Sequence, residues 1–175
     1  MTSAKPRPPG LADRLSSATA TLTQLPGDTP ALVRLAHAFN GFYQARIVAV
    51  LLDAESSPAR DAYSLTEDWS TKALEVLFDV VGRQLVRLYC PDHAGGEQLL
   101  NEVTTMAQFE LFTADDSDIE RIAAEMISLA TELERLLSTV AADESALPDQ
   151  RAAAKAVAPA AHLIWSHFGG DAGGW

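Results

Sequence analysis

Residues 117–140, SDIERIAAEMISLATELERLLSTV, decide the fold class. Their apolar side chains fall at Ile119, Ile122, Ala123, Met126, Leu129, Ala130, Leu133, Leu136, Leu137 and Val140. Steps of three and one keep such positions on one side of a helix that turns about 100° per residue. Ser117-Asp118-Ile119-Glu120 fits a capping box, and Asp115 and Asp116 stand where a helix's positive end favours carboxylates. No run in the chain shows the strict alternation of a half-buried strand.

Working outward, the same periodicity recurs between breaks made by Pro and Gly. Downstream, Pro148 opens a helix that Pro159 should kink and Gly169-Gly170 should stop. Upstream, Gly95-Gly96 opens a helix over about 97–112. Cys90-Pro91 ends another that starts near Pro58, because the residue before Pro disfavours the α region. A capping box at Ser64-Leu65-Thr66-Glu67 leaves open whether that segment is one helix or two. Two further helices cover about 11–25 and 29–53, separated by Pro26-Gly27, with Pro30 in the first turn of the second. The expected architecture is all-α: a single-domain antiparallel bundle of five or six helices over residues 10–168. The Pro-rich residues 1–9 and the Gly-rich residues 169–175 read as flexible ends.

Composition removes several function classes. The chain has 175 residues, 47% of them apolar, and one Cys, which excludes a disulfide framework or a Cys-based zinc site. No stretch reaches the ~18–20 uninterrupted apolar residues of a membrane span. The opening MTSAKPRPPG lacks the apolar core of a secretory signal, so a cytoplasmic location is expected. A formal charge of −11 argues against direct nucleic-acid binding. No cofactor is expected.

That charge is unevenly placed. Residues 1–87 hold nine acids and nine Lys/Arg, whereas residues 88–149 hold fourteen acids against Arg121 and Arg135. Asp115, Asp116, Asp118 and Glu120 therefore make a candidate docking face for a basic protein partner. The same face also reads as a solvated surface that confers solubility. The three aspartates lack the Gly and closing spacing of an EF-hand calcium loop.

A second candidate comes from polar residues that fall among apolar ones. Arg46 lies in the arc of Leu32, Leu35, Phe39, Phe42, Tyr43 and Val50, while Arg34, His37, Asn40 and Gln44 share another face. Gln84 lies in the arc of Trp69, Ala73, Leu77, Val80, Val81, Leu85 and Leu88, with Arg87 at its edge. Glu110 lies in the arc of Leu99, Leu100, Val103, Met106, Ala107 and Leu111. An isolated buried charge costs several kcal/mol, so Arg46, Gln84, Arg87 and Glu110 should meet, with an Arg46–Glu110 ion pair bridged by Gln84. Such a cluster either fixes helix register or floors a ligand pocket. In an enzyme, Glu110 would serve as acid/base and the Arg side chains would hold an anion.

Arg87-Leu-Tyr-Cys-Pro-Asp-His93 resembles the Arg-x(4–6)-His signature of HEPN-type ribonucleases, which are also small helical bundles. The resemblance spans seven residues; Leu88 stands where the family carries a polar residue, and Pro91 breaks the intervening turn. It implies metal-independent RNA cleavage by Arg87 and His93 in a dimer.

The remaining signals are structural. His162 and His167 are five residues apart and do not share a helix face, so no metal site is expected, and His162 reads as exposed. Cys90 reads as a packing residue at a helix end, and Trp69 and Trp165 as core. Trp175 is either a loose end or an anchor into a neighbour. The composition allows a monomer core, and one further exposed helix face would allow a homo-oligomer. The leading expectation is a non-enzymatic acidic module that docks a basic partner, in the manner of immunity proteins, antitoxins, inhibitors or nucleic-acid mimics. The alternatives are the interior pocket and HEPN-like cleavage.

Overall fold

The structure, a computed structural model, describes residues 10–53, 60–94, 105 and 116–169. Among these residues it is all helical. The helices are α1 (Leu11–Thr23), α2 (Ala31–Asp53), α3 (Arg60–Val81), α4 (Arg83–Tyr89), α5 (Pro91–Ala94), α6 (Asp116–Ala142) and α7 (Pro148–His167). The expected 97–112 helix, with Glu110, lies outside the described residues apart from the helical Thr105, as do Asp115, residues 1–9 and the tail beyond Gly169. No helix among the described residues is long and apolar enough to cross a membrane.

α6 buries the stripe read from its sequence: Ile122, Met126, Leu129, Ala130, Leu133, Leu136, Leu137 and Val140 are all covered, with Ile119 and Ala123 half-buried at its margin. The helix starts at Asp116, so Ser117 lies inside it and the expected capping box does not mark its first turn. Opposite this stripe sit α7, α1 and α2. α2 is covered on more than one side. Ala36, Ala38, Ala45, Ala49, Phe39, Phe42, Val48 and Leu52 are buried, as expected of a helix with neighbours around it rather than one apolar face. Gly41 marks a close approach to α6, since a Cβ there would meet Leu133 Cδ2 at 2.8 Å.

The segment expected over 58–90 divides differently from either reading. Ser64 lies inside α3, and the break comes at Gly82, whose φ of +80° suits a residue without a Cβ. Residues 83–89 therefore restart in a new phase. This corrects the interior assignment of Gln84 and Arg87: both are exposed on α4. Pro91 then begins the four-residue α5, where its missing N–H costs nothing. Pro159 does not end α7, which runs on to His167. At the α1–α2 turn, Arg34 donates from Nε to Thr29 O (2.8 Å) and from Nη2 to Gly27 O (2.6 Å).

Candidate functional site

The short α5 holds two consecutive polar residues that point into different surroundings. Its base is Cys90, fully buried, whose thiol burial pushes up to about 12. The His93 N–H returns to Cys90 O at 3.1 Å and sets the turn. Successive helical residues diverge by about 100°, so Asp92 and His93 point in different directions.

Asp92 faces α1 and α2. Its Oδ2 accepts from Arg14 Nη1 at 3.1 Å and from Gln44 Nε2 at 3.0 Å. Gln44 Oε1 in turn accepts from Arg14 Nη1 at 3.4 Å, and Gln44 Nε2 donates to Asn40 Oδ1 at 3.3 Å. The Arg14 side chain is 7% exposed and that of Asp92 33%, so the pair spans the protein boundary. This node fastens α5 to α1 and α2. Gln44, on the face it shares with Arg34, His37 and Asn40, is buried because α5 covers that side of α2. Arg14, which sequence reasoning passed over, stands at the edge of the apolar arc of Leu11, Leu15, Ala18 and Leu22, and that position was its available signal.

His93 faces the other way, against α2 and α3. Its ring meets Phe39 and Tyr43 edge-on, each with centroids 5.4 Å apart, and Phe78 at 6.3 Å. Burial, and then the positive charge of Arg46, hold the imidazole below its usual range. Beside it a cleft of about 460 Å³ opens between the helices. α2 supplies Phe39 and Arg46, two turns apart; α3 supplies Thr71, Leu74, Glu75, Phe78 and Asp79. Phe39 approaches Phe78 at 6.2 Å, while the six residues between Asp53 and Arg60 join the far ends, so the two helices run in opposite directions. Arg46 is half-buried, and its Nε is covered by protein without any hydrogen-bond partner.

Of the predicted interior set, the structure keeps Arg46 at a partly buried site and joins it to His93 rather than to Gln84 or Arg87. The proposed Arg46–Glu110 pair falls outside the described residues through Glu110. No hydrogen bond, ion pair or ring contact among the described residues links Arg87 to His93. Thr71, Glu75 and Asp79 were missed; as polar residues on an amphipathic helix they carry no local sign of a site.

The two Lys/Arg residues of the acidic segment are both engaged in ion pairs, one of them with an acid outside it. Arg121 bonds Asp13 at 2.8 Å and Arg135 bonds Glu132 at 2.8 Å, while His162 Nδ1 lies 3.5 Å from Glu134 Oε1. Asp118 and Glu120 are exposed at the start of α6, whose first residue is Asp116. The outward stripe beyond them includes Arg121, Ser128, Thr131 and Arg135, so both Lys/Arg residues of the acidic segment lie on it. His162 is exposed and stacks on the half-buried Trp165, while Trp69, also half-buried, meets His167 edge-on. No group of three or more metal-binding side chains occurs among the described residues.

No protein-family model, curated protein or solved structure matches the chain.

Proposed function

We propose that the chain is a single-domain antiparallel helical bundle that binds a small molecule in the cleft between α2 and α3. The observation that carries this reading is Arg46, whose desolvated Nε has no partner, on the wall of a cleft whose apolar lining is Phe39, Leu74 and Phe78. Burying a donor without a partner costs about 1–3 kcal/mol, and a ligand acceptor that turns the guanidinium towards the cleft recovers it. The volume falls within the roughly 300–1,000 Å³ of small-molecule sites, which combine apolar walls with a few orienting polar groups. His93, held largely neutral, offers a ring nitrogen at the same cleft.

A fragment screen by ligand-observed NMR on the wild type and Thr71→Trp tests this reading. Hits that bind the wild type and shift the His93 ring signals, and that the filled variant loses while keeping a native melting profile, support it. Hits that bind both proteins equally would refute it.

A second reading, docking of a basic protein, rests on the fourteen acids of residues 88–149. Its face would be formed by Asp115, Asp116, Asp118 and Glu120, of which Asp118 and Glu120 are exposed near the start of α6. Replacing Asp115, Asp116 and Asp118 by Lys should abolish salt-sensitive capture of a basic partner without altering the circular dichroism spectrum. Unchanged capture would remove this reading.

A further inference from the structure

The cleft reading leaves the ligand's chemistry open, and the charges around the cleft narrow it. Arg46 on α2 faces a helix that contributes Glu75 and Asp79, one turn apart and on the same side of α3. None of the three has a hydrogen bond or ion pair among the described residues. Opposite charges thus stand on the two walls of a cleft that Phe39 and Phe78 also line, and are not spent on each other.

Each simpler class of ligand leaves part of this arrangement unsatisfied. An organic anion would meet Arg46 but approach two carboxylates of its own sign. An organic cation would meet Glu75 and Asp79 but add like charge beside Arg46 and leave its buried Nε without an acceptor. A neutral apolar molecule would strip water from three charges and return nothing. Only a molecule carrying both signs gives each wall its complement.

Resting on the cleft reading, we infer that the ligand is amphoteric with an aromatic or flat apolar body, of the aromatic amino acid type. Its carboxylate docks on Arg46, its ammonium on Glu75 and Asp79, and its ring against Phe39 and Phe78.

Three matched probes test this on the full chain by titration calorimetry: L-phenylalanine, L-phenylalaninamide, which lacks the carboxylate, and 3-phenylpropionate, which lacks the ammonium. The expected result is at least tenfold tighter binding of L-phenylalanine than of either analogue. Arg46→Gln should bring L-phenylalanine down to the level of the amide and leave the amide unchanged. The double variant Glu75→Gln/Asp79→Asn should bring it down to the level of 3-phenylpropionate. All three positions are at least partly exposed, and matching melting profiles would establish that the variants fold. If either analogue binds as tightly as L-phenylalanine, the amphoteric assignment is overturned and the ligand carries a single charge. If none of the probes binds while Thr71→Trp still removes fragment hits, the ligand class is wrong and the cleft reading stands. If Thr71→Trp removes no hits either, both fall together.

Discussion

Gly41 gives the sharpest test of how the helices pack. In an ordinary helix interior, Gly→Ala stabilises by about 0.8–1 kcal/mol, through the backbone entropy that Gly loses on folding. Here a Cβ would stand 2.8 Å from Leu133 Cδ2 and 3.4 Å from Leu133 Cγ. Leu133 is fully buried and cannot swing into water, so the added methyl must be accommodated inside the core. Overpacking of this kind costs about 1–3 kcal/mol. Set against the propensity gain, Gly41→Ala should destabilise by about 1 kcal/mol, or a fall in Tm of about 2–4 °C for a chain of this size. Leu133→Ala alone should cost about 2–5 kcal/mol by leaving a cavity. In that background the clash is gone, and Gly41→Ala should stabilise by about 0.5–1 kcal/mol. The two sites should therefore couple by about 2 kcal/mol with a reversal of sign. Urea unfolding of the four proteins, read as shifts in midpoint at constant slope, measures this. If Gly41→Ala stabilises both backgrounds alike, α2 and α6 do not cross at this point, and the packing described for both helices is wrong.

Three further outcomes are expected. Asp92→Asn should destabilise by about 1–3 kcal/mol, less than the loss of a fully buried partner because water reaches Asp92. Arg14→Met/Asp92→Asn should recover part of that loss in urea unfolding, since the stranded guanidinium goes too; no recovery would show that it does not carry the cost. Burial holds His37 and His93 below the ordinary histidine value of 6.5, so the unfolded chain takes up protons first as pH falls. Stability should be fully present above about pH 7, decline as pH drops through 6.5, and level off below the folded values. NMR titration of the two rings checks the direction, and a ring titrating above 6.5 in the folded protein would contradict it. Cys90, with its thiol pushed up to about 12 and no exposed surface, should not react with a disulfide reagent at pH 8 until urea unfolds the chain. Reaction of the native protein at the rate of a free thiol would show that the α4–α5 junction opens.

How much of this was legible in the sequence depended on whether one helix phase could be carried without interruption. It could along α6, where ten apolar residues repeat with no Gly or Pro among them, and that stripe is the one the structure covers. It could not past Gly82. A single Gly inside a helical run is tolerated in a helix as readily as it ends one, so Gln84 and Arg87 were assigned the phase of α3 and prove exposed on α4. Arg46 stands out in the sequence as polar among apolar neighbours, but its surroundings do not, because they depend on which helix lies opposite. Glu75 and Asp79 look like any carboxylates on an amphipathic helix until the antiparallel pairing of α2 and α3 sets them across from Arg46. What covers the separate face of Arg34, His37, Asn40 and Gln44 was equally hidden, because α5, four residues long, leaves no periodic trace.

That short helix links the two polar features. Asp92 belongs to the Arg14–Gln44 node and His93 to the cleft wall, and one peptide unit joins them above the buried Cys90. A pair that costs something to desolvate is weak evidence for stability by itself. Its value here is geometric. Four residues cannot hold a helical turn in place by backbone hydrogen bonds alone, since nearly all their carbonyls and amides are terminal. Side-chain anchors must fix its rotation, and with its rotation the direction of the next side chain. Two of the atoms that bond Asp92 come from different helices, Arg14 from α1 and Gln44 from α2, so the turn is held against both. One side of the His93 imidazole is thereby kept against Phe39, Tyr43 and Phe78, while the rest of the ring stays open to solvent. Loosening the node should therefore be felt at the cleft before it is felt in the core, although no residue of the node lines the cleft.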